Sequence, residues 1–148
     1  MKMFLIPFVL FFVIACVPEQ PADPNIELVR VEYESYFNDF VARDFDAIAS
    51  HFQVPTMNRT ASPAAVLSTQ DEVSAFFRAM PIQDGYSYSL MDRIDIYRLA
   101  ENVYYVDLDF TRYNTSDEIL FEGRTLYFFG NETGAWTMFT AAPVQRDD

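Results

Sequence analysis

The chain has little to offer several kinds of chemistry: one cysteine, one histidine, one tryptophan and four glycines in 148 residues. A single cysteine rules out an intramolecular disulfide. The glycines sit at turns or singly, so no glycine-rich loop is present to cradle a phosphate, and no cofactor is expected. All ten lysines and arginines except Lys2 are arginines, and against 22 acidic residues they leave a formal net charge of −12. Such a field repels phosphate backbones, and no basic patch with interleaved aromatics offsets it, which argues against nucleic acid as a partner. Partners selected by charge would be neutral or cationic. The apolar run at residues 3–14, broken only by Pro7, stops short of the ~20 residues that a membrane-spanning helix needs. Aromatic residues are plentiful instead: 15 Phe and nine Tyr supply enough apolar area for one folded domain.

The short apolar run follows Lys2 and ends in Val13-Ile14-Ala15-Cys16, which suits an export signal over residues 1–15. The exit resembles the lipobox of bacterial lipoproteins, in which a small residue precedes a cysteine that is acylated and becomes the mature N-terminus. That resemblance implies lipidation of Cys16 and anchorage of the domain to a lipid bilayer, and it accounts for a lone exported thiol. By the same resemblance Val17, rather than Asp, directs the protein in a Gram-negative cell to the periplasmic face of the outer membrane. Three N-glycosylation sequons (Asn58-Arg59-Thr60, Asn114-Thr115-Ser116, Asn131-Glu132-Thr133) are read as turn chemistry, where Asn, Ser and Thr concentrate.

Residues 16–25 contain Pro18, Pro21 and Pro24 and read as an extended tether. The domain is expected over residues 26–143, followed by a polar tail, 144–148. Val29, Tyr33, Tyr36, Phe37 and Phe40 fall on one face of a helix over 26–42. Asp44 is placed to cap a second helix, with Phe45, Ile48, Ala49 and Phe52 on one face. Thr69 and Glu72 form a capping box for a third, whose face is Val73, Phe76, Phe77 and Met80 and which Pro81 closes. From Tyr86 the period changes to two, predicting strands at 90–97, 102–113, 119–129 and 135–141, with short ones at 53–58 and 65–67. The brief connections between the last four predict an antiparallel meander. Three helices followed by a curved antiparallel β-sheet is an α+β arrangement.

The order of elements resembles the nuclear transport factor 2-like superfamily, which includes SnoaL-like proteins and ketosteroid isomerase. The resembling stretches are YFNDFVARDFDAIASHF (36–52), residues 69–80, and YFFGNETGAWTMF (127–139). The resemblance implies a cone-shaped sheet wrapped on helices, a cavity at the open end, and a homodimer packed through the sheet. It also implies where catalytic groups would stand, and there this sequence departs from the family's enzymes. The stretch after the second helix, Val54-Pro55-Thr56-Met57-Asn58, offers no carboxylate. The last strand offers Thr140 where several members carry a histidine, and Leu126 stands at the matching place on its neighbour.

Other polar groups gather on the strands. Tyr105, Asp107, Asp109 and Thr111 share one face of their strand, while Val106, Leu108 and Phe110 make the other; Glu122 and Arg124 share a face next door. Tyr105, Asp107, Asp109, Arg124 and Trp136 are therefore the candidate ligand-binding residues, set against a plainer reading of the charges as cross-strand ion pairs on a solvated face. Asp-x-Asp alone is a weak hard-metal signal, and nothing completes a site, so no metal is expected. Tyr127, Phe129 and Trp136 stand at strand spacing as core or cavity lining. His51, late in the second helix, is expected to be satisfied by local carbonyls. Two functions follow: a lipid-anchored, non-enzymatic domain binding a small apolar ligand or a protein partner, or a pocket enzyme of the isomerase, dehydratase or hydrolase kind using Asp107 or Asp109 with Arg124 or a tyrosine.

Overall fold

The first helix starts earlier than its apolar period suggests. Asp23 accepts the Asn25 N–H at 3.0 Å, and Pro24 takes the first turn, where a missing N–H costs nothing, so α1 runs Pro24–Ala42 and absorbs the end of the expected tether. This computed structural model describes residues 23–58 and 64–145; the export signal, Cys16 and the rest of the tether lie outside them. α1 buries Val29, Tyr33, Tyr36 and Phe37 and stops at Arg43, whose left-handed backbone (φ 57°) turns its N–H back onto the Asp39 and Phe40 carbonyls. Asp44 then caps α2 (Phe45–Ser50) by accepting the Ala47 N–H at 3.1 Å.

The capping box of α3 (Gln70–Ala79) is half as drawn. Thr69 Oγ1 accepts the Glu72 N–H at 3.2 Å, but the Glu72 carboxylate reaches one residue further back, to the Ser68 N–H at 2.6 Å. Among the described residues no helix is long and apolar enough to cross a membrane.

The strands are β1 (Phe52–Asn58), β2 (Ala65–Leu67), β3 (Tyr86–Ala100), β4 (Val103–Asn114), β5 (Ile119–Gly130) and β6 (Thr137–Val144). They form one sheet in the order β2-β1-β6-β5-β4-β3. β3 to β6 make the meander that the short connections predict, while β1 lies parallel to β6. Register shifts interrupt the ladders, as between Met91 and Arg93 and between Phe128 and Phe129; such bulges bend a strand and curve the sheet. Asn114 makes the β4–β5 turn by accepting the Ser116 and Glu118 N–H groups with its side chain, which bears out turn chemistry for that sequon. Asn58 does not follow suit: it is a buried strand residue closing β1, because it pairs with Ala65 and Ala141.

The concave face of the sheet packs on α1. Val29 and Tyr33 share one core cluster with Tyr104, Val106 and Leu108 of β4, Phe129 of β5 and Met138 of β6, all of them fully buried. Each large side chain of this kind contributes roughly 1.5–3 kcal/mol of burial. Trp136 joins this core edge-on to Tyr104, with ring centroids 5.0 Å apart.

Candidate functional site

Alternation along β4 and β5 decides which side chains can reach a ligand between helices and sheet. Leu108 pairs with Thr125 and Phe110 with Gly123 on the concave face, where Arg112 and Phe121 continue the row. Asp107 pairs with Leu126, Asp109 with Arg124 and Thr111 with Glu122 on the convex face.

The charged residues expected at a ligand site therefore meet each other on the convex face. Arg124 donates to both Asp107 oxygens, from Nε at 2.8 Å and from Nη2 at 2.6 Å. Arg93 donates to Asp109 from Nε at 2.8 Å and to Asp107 from Nη2 at 3.2 Å, and its Nη1 pairs with Asp95. The bonds from Arg124 outweigh the opposing effect of burial, and with help from Arg93 they hold the Asp107 carboxyl below its usual range. Tyr105 stacks on Tyr97 at 5.0 Å on the same face. Trp136 is buried in the core with its indole N–H unpartnered.

The opposite face holds a cavity of about 800 Å³ between α1, the end of α3 and strands β3 to β6. That is within the ~300–1,000 Å³ of small-molecule sites. Tyr36, Phe37 and Phe40 reach it from α1, Phe76 and Phe77 from α3, and Leu108, Phe110, Phe121 and Tyr127 from the sheet. Tyr105, Asp107, Asp109 and Trp136 do not border it, and Arg124 does so with its guanidinium turned away onto Asp107. Glu122 borders it from an exposed position in register with convex-face Thr111.

One cation reaches the cavity without a carboxylate partner among the described residues, and sequence reasoning missed it. Arg112 follows Phe110 on the concave face of β4, with Ser89 beside it on β3. Its guanidinium carbon lies 5.2 Å from the Phe110 ring centre, 5.5 Å from Phe121, 5.6 Å from Phe40 and 6.0 Å from Tyr86. Aromatic faces of this kind hold a guanidinium by their quadrupoles without neutralising it. Nη1 donates to Gln83 Oε1 at 2.9 Å, whereas Nε is buried with no hydrogen-bond partner, and among the described residues no carboxylate lies in ion-pair range. Burial lowers the Arg112 pKa from its ordinary value. The signal in the sequence was the parity of Arg112, which places a lone charge on the apolar face.

Gly123 makes this cage. A Cβ there would stand 2.5 Å from the Phe110 ring and 2.6 Å from the Phe121 ring, so only glycine lets both rings close over β5 beside Arg112. Deeper in, Tyr33, Tyr36 and Tyr127 cluster with ring centroids 5.0–5.7 Å apart. Burial raises all three phenols above their ordinary pKa. They stay protonated, and Tyr36 and Tyr127 line the cavity.

His51 lies outside the cavity lining and has carboxylate partners rather than carbonyls. Nδ1 lies 2.7 Å from Glu32 Oε1 and Nε2 lies 2.8 Å from Asp39 Oδ2. Burial alone would depress the imidazole, but the two carboxylates prevail and its pKa is raised. It ties α1 to the end of α2.

Leu126 and Thr140 belong to the convex register, and the concave residues beside them are Thr125, Tyr127 and Ala141. Among the described residues no group of three or more His, Cys, Asp or Glu is gathered to hold a metal.

Solved structures share this fold at low identity. A putative calcium/calmodulin-dependent protein kinase II association domain from Xanthomonas campestris superposes with a TM-score of 0.64 at 10% identity, covering 88% of this chain and 94% of that one. A ketosteroid isomerase-like protein from Erwinia carotovora atroseptica gives 0.62 at 13% identity, over 84% and 99% of the two chains. An NTF2-like protein of unknown function from Pseudomonas putida gives 0.65 at 11% identity, over 84% and 88%. No curated protein matches the sequence at a significant level. The family model described as NTF2-like protein (DUF6841) matches residues 27–146, spanning both the helices and the whole meander, and the chain belongs to that family.

Proposed function

We propose that the domain is a non-enzymatic binding module, lipid-anchored through Cys16, that takes a small, largely apolar ligand into the concave cavity. The observation that carries this reading is the cavity of about 800 Å³, lined by aromatic rings from α1, α3 and the sheet. Acid–base turnover requires a titrating group within hydrogen-bond reach of the substrate proton. Of the titratable groups bordering this cavity, Tyr36 and Tyr127 are phenols held protonated by burial, Arg112 and Arg124 are cations, and Glu122, the one carboxylate there among the described residues, stands exposed at the border. Asp107 and Asp109, the carboxylates an enzyme reading would use, engage Arg93 and Arg124 on the convex face.

The test is titration of the purified full-length chain with N-phenyl-1-naphthylamine, a neutral apolar fluorophore. Saturable enhancement that is lost in A141L, which narrows the cavity from β6, supports the reading. Absence of saturable binding, or enhancement indifferent to A141L, refutes it. Anchorage is tested separately, by metabolic incorporation of an alkyne-tagged fatty acid that C16S must abolish.

A second reading concerns the convex face. Rings of Tyr97, Tyr105, Phe128 and Phe139 run across four strands with centroid separations of 5.0, 5.9 and 6.1 Å. Tyr97 and Leu99 at its edge are about half exposed. A second copy of the chain would cover this row, so sedimentation should give a dimer that Y97D disrupts; a wild-type monomer at high concentration refutes it.

A further inference from the structure

We propose that the ligand of the concave cavity is an apolar monocarboxylic acid whose carboxylate is received by Arg112. This rests on the reading of the cavity as a ligand site and adds the chemistry of the ligand. Arg112 is the feature of the cavity that packing alone does not explain. A guanidinium stays charged at any physiological pH, and removing it from water without a counter-charge is costly. Other arginines of the sheet meet that cost with carboxylates, as Arg93 and Arg124 do. Arg112 has four rings, one Gln83 oxygen and a buried, unpartnered Nε. The cost left standing is what an anionic ligand would remove on binding.

Two further observations narrow the class. Of the two arginines bordering the cavity, Arg124 is already paired with Asp107, which leaves one positive charge at Arg112; a monoanion neutralises it, whereas a dianionic phosphate would leave one negative charge in a poorly solvated aromatic site. Most of the remaining lining, with Tyr36, Phe76, Leu108 and Tyr127 among it, is aromatic or aliphatic, which suits a hydrocarbon or aryl tail, while Glu122 borders it from an exposed position and Arg124 turns its guanidinium onto Asp107. The net charge of −12 predicts neutral or cationic partners for the protein's surface. It does not govern here, because exposed charges are screened over about 8–10 Å in physiological salt while Arg112 would touch the ligand.

The experiment is calorimetric titration of the full-length chain with 4-phenylbutanoate and with its neutral isostere 4-phenylbutanamide, each also competed against N-phenyl-1-naphthylamine. A charge-assisted hydrogen bond in a shielded site predicts a preference for the acid of roughly 10- to 100-fold. The preference should fall with added salt while amide binding does not. R112Q should remove the preference. The comparison in the wild-type chain needs no variant, so it stands even if R112Q fails to fold. Equal affinity for acid and amide, or a preference that survives R112Q, overturns the proposal while leaving the cavity reading intact. Tighter binding of 4-phenylbutyl phosphate than of the acid overturns the monocarboxylate assignment. Failure of the neutral fluorophore itself to bind removes the cavity reading beneath it.

Discussion

Arg124 grips Asp107 with two nitrogens, at 2.8 and 2.6 Å, across neighbouring strands on the convex face. Planar, two-pronged pairing fixes both side chains away from the cavity, so residues that share polarity and period-two spacing do not share a ligand. The Asp107 pKa is lowered by that pairing, with Arg93 adding to it. A carboxyl whose folded pKa lies below its unfolded value of about 3.8 contributes stability that is complete above that value and lost as pH falls through the folded one. The stability gap between wild type and R124Q should therefore be constant from neutral pH down to about 5 and close below about pH 4. Urea unfolding at stepped pH reads this, and a gap that does not narrow as pH falls below about 4 would contradict it.

The His51 clasp carries the opposite sign. Its pKa is raised by Glu32 and Asp39 against the effect of burial, so its contribution is complete below the unfolded value of 6.5 and disappears as pH rises through the folded one. H51Q should lower the melting temperature most at pH 5.5–6 and progressively less in alkaline buffer. The loss on the acid side is about 1–3 kcal/mol, since it leaves two carboxylates without their shared partner. His51 is the chain's one histidine, so a single imidazole resonance titrates; a midpoint below 6.5 would refute the clasp.

These two pairs show what could be seen in the sequence. Period and caps found every helix and strand among the described residues, because Tyr33, Phe37, Val106 and Leu108 announce their buried faces by spacing and Asp44 and Thr69 announce starts. The α1 start was obscured by Pro24, which reads as tether until Asp23 is recognised as its cap. Polarity marked Asp107, Asp109 and Arg124 as a candidate site, but opposite charges on adjacent strands satisfy each other first. Arg112 carried the better signal in its register, which no count of polar residues weighs. His51's partners lie 19 and 12 residues upstream, visible only once α1 and α2 are folded against each other.

Gly123 is expected to be intolerant of any side chain. G123A places a methyl carbon on the Phe110 and Phe121 rings, which must rotate or retreat from Arg112. Overpacking of this kind costs about 1–3 kcal/mol. Chemical denaturation measures the loss, and acid preference in the 4-phenylbutanoate titration should weaken with it. Wild-type stability in G123A would mean the rings have room that the cavity geometry denies them.

Tyr33 predicts a gain rather than a loss. Its ring is fully buried among Tyr36, Phe37, Tyr127 and Phe129, yet its hydroxyl closes no hydrogen bond of good geometry. A buried polar atom without a partner costs about 1–3 kcal/mol, and part of that is recovered when the atom is removed without changing the ring. Y33F should therefore be at least as stable as wild type, with an increase of up to about 1 kcal/mol in urea unfolding. Y127F is the control that separates the two hydroxyls, because Tyr127 lines the cavity and its hydroxyl is within reach of Tyr36 and Thr125. A clear destabilisation by Y33F would show that the Tyr33 hydroxyl is bonded within the tyrosine cluster after all, and would make the three phenols one connected network under the ligand site.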